Sequence, residues 1–269
     1  MASFEIDSPE TLQDWVFPWP TFDINWDRTA LCVIDIQNYL ANTNSGLIEM
    51  LNNRIPETGD YYDHRVQEIM IPNARRLIDA FRKHNREVIY TRHGALLPDS
   101  RDMIKRRQRR DADAEDTTGR PAMWSAGSFE HQIVEQLTPL PHELVIDKNS
   151  SSPFNGTGID QLLHNLNLET LVITGAATDM CVETTGRDAA DRGYNVIVVE
   201  DATATFQEEH HIAALSGLAR VYTQVWETDQ VLGSLEDSFD SKGWKESFIQ
   251  IGSYSNLKSG EILFRRLSF

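Results

Sequence analysis

Five short β-rich runs, separated by stretches with helical periodicity, constrain the fold of this chain more than any other feature of its sequence. They are ALCVID from Ala30 to Asp35, EVIYT from Glu87 to Thr91, ELVID from Glu143 to Asp147, TLVITG from Thr170 to Gly175 and YNVIVVED from Tyr194 to Asp201. A weaker sixth, RVYTQV, runs from Arg220 to Val225. Their apolar residues are continuous instead of alternating, so each strand needs cover on both faces. Between them, Ala74 to His84, Gln161 to Leu166, Asp179 to Arg192 and Glu208 to Leu218 place apolar residues at helical spacing. This alternation predicts a three-layer α/β/α sandwich built on a mainly parallel six-stranded sheet.

The alternating segments predict one domain over residues 29–234 in a chain of 269 residues. Residues 1–28, with the aromatic and proline cluster WVFPWP, read as an arm docked on it. Residues 235–269 form a polar tail bearing Trp244, Phe248 and Phe264, expected to pack on the core or at a homo-oligomer interface, in a dimer or tetramer. Lys105 to Asp116, KRRQRRDADAED, changes sign halfway and reads as a solvated loop or exposed helix. Lys and Arg number 25 against 41 Asp and Glu, a net charge of −16 that argues against nucleic acid or an anionic membrane as partner. Two distant cysteines, Cys32 and Cys181, offer no disulfide framework, and the acidic N-terminus MASFEIDSPETLQ lacks the character of a signal peptide. A cytoplasmic setting is expected.

In open parallel sheets, ligands bind beyond the carboxyl ends of the strands. Here those ends carry an acid, a base and a thiol: Asp35 after the first strand, Lys148 after the third, and Cys181 where GAATDM leads into a helix. Each has an ordinary reading, as a helix cap, a surface lysine and a small buried hydrophobe of the kind Cys32 is expected to be. Together they form a set, because a nucleophilic thiol needs a group to take its proton and a cation to hold the charges in place. Thr178 is expected to cap the helix, with Asp179 in its first turn, so that the helix start favours a Cys181 thiolate. The small Gly175, Ala176 and Ala177 let a carbonyl approach the backbone, where the same amides can hold an oxyanion.

Three stretches resemble one family: CVIDIQN around Asp35, DKNSSSPFNGT from Asp147, and ITGAATDMCVETTGRDAADRGYNVIVVEDA from Ile173 to Ala202. The chain is similar, from about Thr29 to Leu232, to the isochorismatase-like cysteine hydrolases, which include nicotinamidases and carbamoylsarcosine, ureidoacrylate and biuret amidohydrolases. The resemblance implies a triad of Asp35, Lys148 and Cys181, a cis peptide between Ala176 and Ala177, and an oxyanion hole from the backbone N–H groups of Ala177 and Cys181. It also implies an aromatic pocket wall at Phe154 and subunit association. Isochorismatases proper lack the nucleophilic cysteine, so Cys181 points to C–N hydrolysis. Nicotinamidases bind a metal through an Asp-x-His and a further His; the candidates here, Asp60, Asp63, His64 and His93, lack that spacing, so neither a metal nor another cofactor is expected.

The reading is thus an amidohydrolase that cleaves a small linear amide or ureide through a thioester. Gln37, Tyr39, Trp124, Phe154 and Asn155 are expected to contact substrate, with Trp19 and Trp26 as further wall residues and Asn38 and Thr157 as further hydrogen-bonding groups. The alternatives are a nicotinamidase-type amidase, a redox thiol, an ether hydrolase of the isochorismatase kind, and a binding protein on an enzyme scaffold. No phosphate-binding glycine motif is present.

Overall fold

The β-rich runs become six strands in the computed structural model, which describes residues 5–108 and 124–239. They are β1 (Thr29–Ile34), β2 (Glu87–His93), β3 (Leu144–Lys148), β4 (Thr170–Ala176), β5 (Asn195–Ala204) and β6 (Gln224–Trp226). All neighbours pair in parallel, in the order β3-β2-β1-β4-β5-β6. Every residue of β1 and β4 is buried, as continuous apolar strands at the centre of a covered sheet must be. The chain starts at β1 and winds outward in both directions, so the topological switch point lies between β1 and β4.

Helices cover both faces. On one side Ala30, Cys32, Ile34, Ile173 and Val198 share a buried cluster with Leu163 of α5 (Ile159–Asn165), Ala189 of α6 (Glu183–Asp191), and Leu215 and Leu218 of α7 (Glu208–Ala219). On the other, α4 (Ile71–Lys83) packs on β1, β2 and β5, burying Leu77, Ile78 and Phe81 completely. Each such side chain contributes about 1.5–3 kcal/mol. Arg82 and Lys83 in the last turn of α4 suit its negative end.

Two stretches differ from the sequence expectation. Residues 38–64 form α1 (Asn38–Ala41), α2 (Gly46–Arg54) and α3 (Pro56–His64), and a wide π-type turn, Arg65–Met70, continues α3 into α4. Their Asn, Gly and Pro content and weak apolar period hid them. The sixth strand is shorter than RVYTQV, because the N–H groups of Val221, Tyr222 and Thr223 all donate to the Leu218 carbonyl and finish the helix. β5 runs on to Ala204 through an irregularity opposite Ile173–Gly175.

The arm is tied to the end of α7: Asp7 N–H donates to Ser216 Oγ at 2.9 Å, and Trp15 Nε1 to the Arg220 carbonyl at 3.1 Å. It belongs with the sheet to one compact unit, Met1–Leu232. Gly233–Phe269 is a second unit, of which residues 233–239 are helical. The rest of the tail, with the interface expected there, lies outside the described residues, as do residues 109–123 of the charged insertion. Among the described residues no helix is long and apolar enough to cross a membrane.

Gly175 marks where β1 and β4 are packed most tightly. Its φ is +129°, and a Cβ there would sit 2.0 Å from the Ile34 carbonyl oxygen. The obstacle is the backbone of Ile34, which the sheet holds in place, so Gly175→Ala is expected to destabilise the fold by roughly 3 kcal/mol or more. Urea unfolding checks this; a midpoint equal to that of the parent chain would refute it.

Candidate active site

The residue after β1 turns sharply. Asp35 has φ +52°, a left-handed conformation that Asp tolerates better than most residues. Its N–H donates to the Thr91 carbonyl at 3.2 Å, and its carbonyl accepts from Gln37 N–H at 2.8 Å. The carboxylate is fully buried. Oδ1 accepts from Thr91 Oγ1 at 2.6 Å, and Oδ2 from Lys148 Nζ at 2.7 Å. Lys148, 1% exposed at the end of β3, donates its other two protons to the carbonyls of Ser150 (3.0 Å) and Ser151 (2.8 Å). The ammonium is therefore fully used and locked in place.

Cys181 completes the group in the turn after β4. Its thiol lies within electrostatic reach of the Asp35 carboxylate and the Lys148 ammonium. The turn differs from the expected capped helix. Thr178 does not cap it; its hydroxyl pairs with His211 Nδ1 at 3.0 Å, and Asp179 accepts from Thr205 Oγ1 at 2.5 Å. Residues Thr178–Val182 form a wide π-type turn in which Met180 and Val182 N–H both donate to the Ala177 carbonyl, at 3.0 and 3.2 Å. The peptide between Ala176 and Ala177 is cis. The N–H of Ala177 meets no protein acceptor among the described residues.

Burial works against the thiolate that the helix start is expected to favour. It pushes the Cys181 thiol up to about 12; the Lys148 charge opposes this, while the Asp35 charge reinforces it. The thiol lies by the carboxylate that can accept its proton. Cys32, mid-strand in β1, is likewise pushed up to about 12 by burial, with no cation near it.

On the β1–β2 side, the segment 124–134 lies against the residues that follow the two strands. It is stitched down by Ala95 N–H to the Trp124 carbonyl (3.2 Å), Tyr39 N–H to the Glu130 carbonyl (3.0 Å) and Val134 N–H to the Ile36 carbonyl (3.1 Å). Trp124 stacks on Tyr39 with ring centroids 3.3 Å apart, and its indole N–H donates to the His93 carbonyl. Gln37, expected to contact substrate, is occupied within the protein. Its amide donates to the His93 (3.1 Å) and His131 (2.9 Å) carbonyls, and its oxygen accepts from His93 N–H at 2.7 Å. Asn38 Nδ2 likewise donates to the Phe129 carbonyl at 2.9 Å.

Three further residues expected near the substrate have partners within the protein. Asn155 is exposed and turned to Asp188 (3.2 Å), because the turn after β3 carries it to the surface. Thr157 Oγ1 donates to the Pro153 carbonyl at 2.5 Å, which leaves its proton committed to the local turn. Trp26 precedes β1, at the sheet edge opposite Asp35, and packs edge-on against Phe81 at 6.1 Å. Phe154 is buried in the same cluster as Cys181, against Tyr194 at 6.0 Å and under the Arg192 guanidinium.

The metal-ligand candidates do not gather. Asp63 accepts from Thr43 Oγ1 at 2.9 Å, and among the described residues no group of three or more His, Cys, Asp or Glu side chains is placed to hold an ion. His93 sits by itself at the end of β2. Burial, with Lys148 near, lowers its pKa to about 3, so the ring is neutral at ordinary pH.

Tyr62 was missed from the sequence because the α3 stretch PETGDYYDH shows no clear period. It is fully buried, edge-on to Phe206 at 4.9 Å, with its hydroxyl in electrostatic reach of Tyr39, Asp179 and Cys181. Arg65, just beyond α3, donates to the carbonyls of Thr203 (3.0 Å) and Glu200 (3.1 Å), and its guanidinium lies 2.6 Å from His211 Nε2.

Fold and site together define a three-layer α/β hydrolase with its reactive groups at the switch point of a parallel sheet. More particularly, the chain belongs to the isochorismatase domain family, whose model matches residues 29–230. It is 30% identical over 196 residues to the isochorismatase family protein YwoC of Bacillus subtilis, covering 72% of this chain and 87% of that one. It is 30% identical over 181 residues to the ureidoacrylate amidohydrolase RutB of Methylorubrum extorquens, covering 66% and 70%. The structure of a cysteine hydrolase from Pseudomonas syringae pv. phaseolicola superposes with a TM-score of 0.66 at 24% identity, covering 82% of this chain and 98% of that one.

Two measurements follow from the buried pair and the thiol. Lys148→Met leaves Asp35 charged, buried and without its cation, and is expected to cost about 3–5 kcal/mol in urea unfolding; a loss below about 1 kcal/mol would contradict the geometry. The rate of iodoacetamide alkylation at Cys181 is expected to climb steadily from about pH 7 to about pH 10, since a thiol at about 12 is still gaining thiolate throughout. A plateau by about pH 8 would show that burial does not control this thiol.

Proposed function

We propose that this chain is a cysteine-dependent amidohydrolase that cleaves a C–N bond, other than a peptide bond, in a small linear amide or ureide. The observation that carries the reading is the Asp35 carboxylate, held between the Lys148 ammonium and the Cys181 thiol. The RutB relative, a ureidoacrylate amidohydrolase, supports the same bond class.

In this reading the Cys181 proton passes to Asp35 as the sulfur attacks the substrate carbonyl carbon. Concerted transfer suits a thiol too weak an acid to ionise beforehand. The tetrahedral oxyanion is held by the N–H groups of Ala177 and Cys181. Collapse breaks the C–N bond, and protonated Asp35 returns its proton to the leaving amine. A water then gives a proton to Asp35 and attacks the thioester carbonyl; the departing sulfur regains a proton and the acid is released. Lys148, with all its donors committed, keeps Asp35 in position through both halves.

A nicotinamidase from Arabidopsis thaliana is also similar, at 29% identity over 213 residues, covering 79% of this chain and 91% of that one. It supports amide hydrolysis; among the described residues Asp60, Asp63, His64 and His93 form no group of three or more placed to hold an ion.

Cys181→Ala is expected to lower amide turnover roughly thousandfold or more while leaving the circular dichroism spectrum unchanged. Substantial residual turnover by the folded variant would remove the thiol from the mechanism. Turnover of biuret or ureidoacrylate is expected to exceed that of nicotinamide and to survive exhaustive chelation; loss of activity restored by zinc, with nicotinamide the faster substrate, would favour the nicotinamidase reading.

A further inference from the structure

The site holds two polar side chains that the proposed chemistry does not use. Tyr62 is fully buried, and its hydroxyl has no hydrogen-bond partner among the described residues. His93 is 3% exposed, its ring lies against the Lys148 backbone, and among the described residues neither ring nitrogen has a partner at normal hydrogen-bond geometry. Unpaired buried polar groups are rare because each forfeits its hydration, so two beside one reactive thiol require an explanation.

Their placement gives one. β2, β1 and β4 are consecutive in the sheet. His93 ends β2, beside Lys148 and Asp35, with the Trp124 ring edge-on at 6.1 Å. Tyr62 comes from α3 and packs edge-on at 4.9 Å against Phe206, just beyond β5, which follows β4 in the sheet, and its hydroxyl interacts electrostatically with Cys181, Asp179 and Tyr39. The Asp35–Cys181 centre lies between them.

Building on the amidohydrolase reading, we propose that Tyr62 and His93 are specificity residues that hydrogen-bond the substrate on opposite sides of its reacting carbonyl. A substrate polar on both flanks, as a linear ureide is, pairs both groups. An alkyl amide, with its apolar flank, leaves one of them unpaired and desolvated. Both residues act as uncharged partners: burial raises the Tyr62 hydroxyl and keeps the His93 ring neutral. The phenol offers one donor, and the imidazole one donor and one acceptor, which matches the amide N–H and C=O groups of a ureide.

The test compares Tyr62→Phe and His93→Asn with the parent enzyme, using biuret and propionamide as probes. Each variant is expected to lower kcat/KM for biuret roughly 5- to 150-fold, the effect of one unpaired buried polar group. The propionamide constant falls by less, so the biuret-to-propionamide ratio drops at least about fivefold. Calorimetric binding of biuret to Cys181→Ala, with and without Tyr62→Phe, reads the same contact without turnover and is expected to weaken by a similar factor. An unchanged ratio in both variants, or no biuret binding to Cys181→Ala, overturns the proposal. If Cys181→Ala stays active while Tyr62→Phe still weakens biuret binding, the amidohydrolase mechanism fails and the recognition contact stands.

Discussion

The ion pair between Asp35 and Lys148 is the interaction on which the rest of the site depends. Both side chains are withdrawn from water, and the desolvation of two charges consumes most of what their attraction returns. The arrangement survives because the lone pairs and protons around the pair are matched. Thr91 takes one carboxylate oxygen, and the Ser150 and Ser151 carbonyls take the remaining ammonium protons. Such a pair contributes little net stability. What it supplies is position, since a carboxylate bound from two sides cannot rotate away from the thiol it faces.

Strand register delivers these groups to one place. Ile34 lies opposite Thr91 on β2 and Gly175 on β4, and His93 lies opposite Lys148 on β3. The acid, its hydroxyl partner, its cation and the turn bearing the thiol therefore meet within a residue or two of a single level across four strands. Because parallel side chains alternate between faces, a one-residue slip would send Lys148 to the opposite layer. The close approach of Gly175 to Ile34 helps to fix this level where β1 and β4 meet.

The sheet, and the meeting of Asp35, Lys148 and Cys181 at one edge of it, were legible because both rest on strong local signals: continuous apolar runs, and chemistry-bearing residues at strand ends. Pocket residues were less legible. Gln37 and Asn155 are polar and close in sequence to Asp35 and Lys148, yet one is used in stitching the 124–134 segment and the other turns to solvent. Proximity along the chain does not report side-chain direction in loops. Tyr62 was invisible for the converse reason: α3 reaches the site only through packing with distant elements, and its own residues lack an apolar stripe. The capped helix expected at Thr178 was displaced by tertiary partners, His211 and Asp179–Thr205, that local pattern cannot foresee.

His211 stands between two parts of the protein that are far apart in sequence. Arg65 can only donate, so Nε2 of this imidazole is the acceptor and Nδ1 carries the proton toward Thr178. The ring is thereby held as a single tautomer, with its pKa lowered first by burial and further by Arg65, against the opposing pull of Glu200. Its two nitrogens join the helix stack that bears Tyr62 to the first residue of the turn that bears Cys181. Protonation at Nε2 would set two cations against each other and break that join. The neutral ring therefore works as a spacer of fixed polarity, setting how far the helix stack that bears Tyr62 stands from the turn that bears the sulfur.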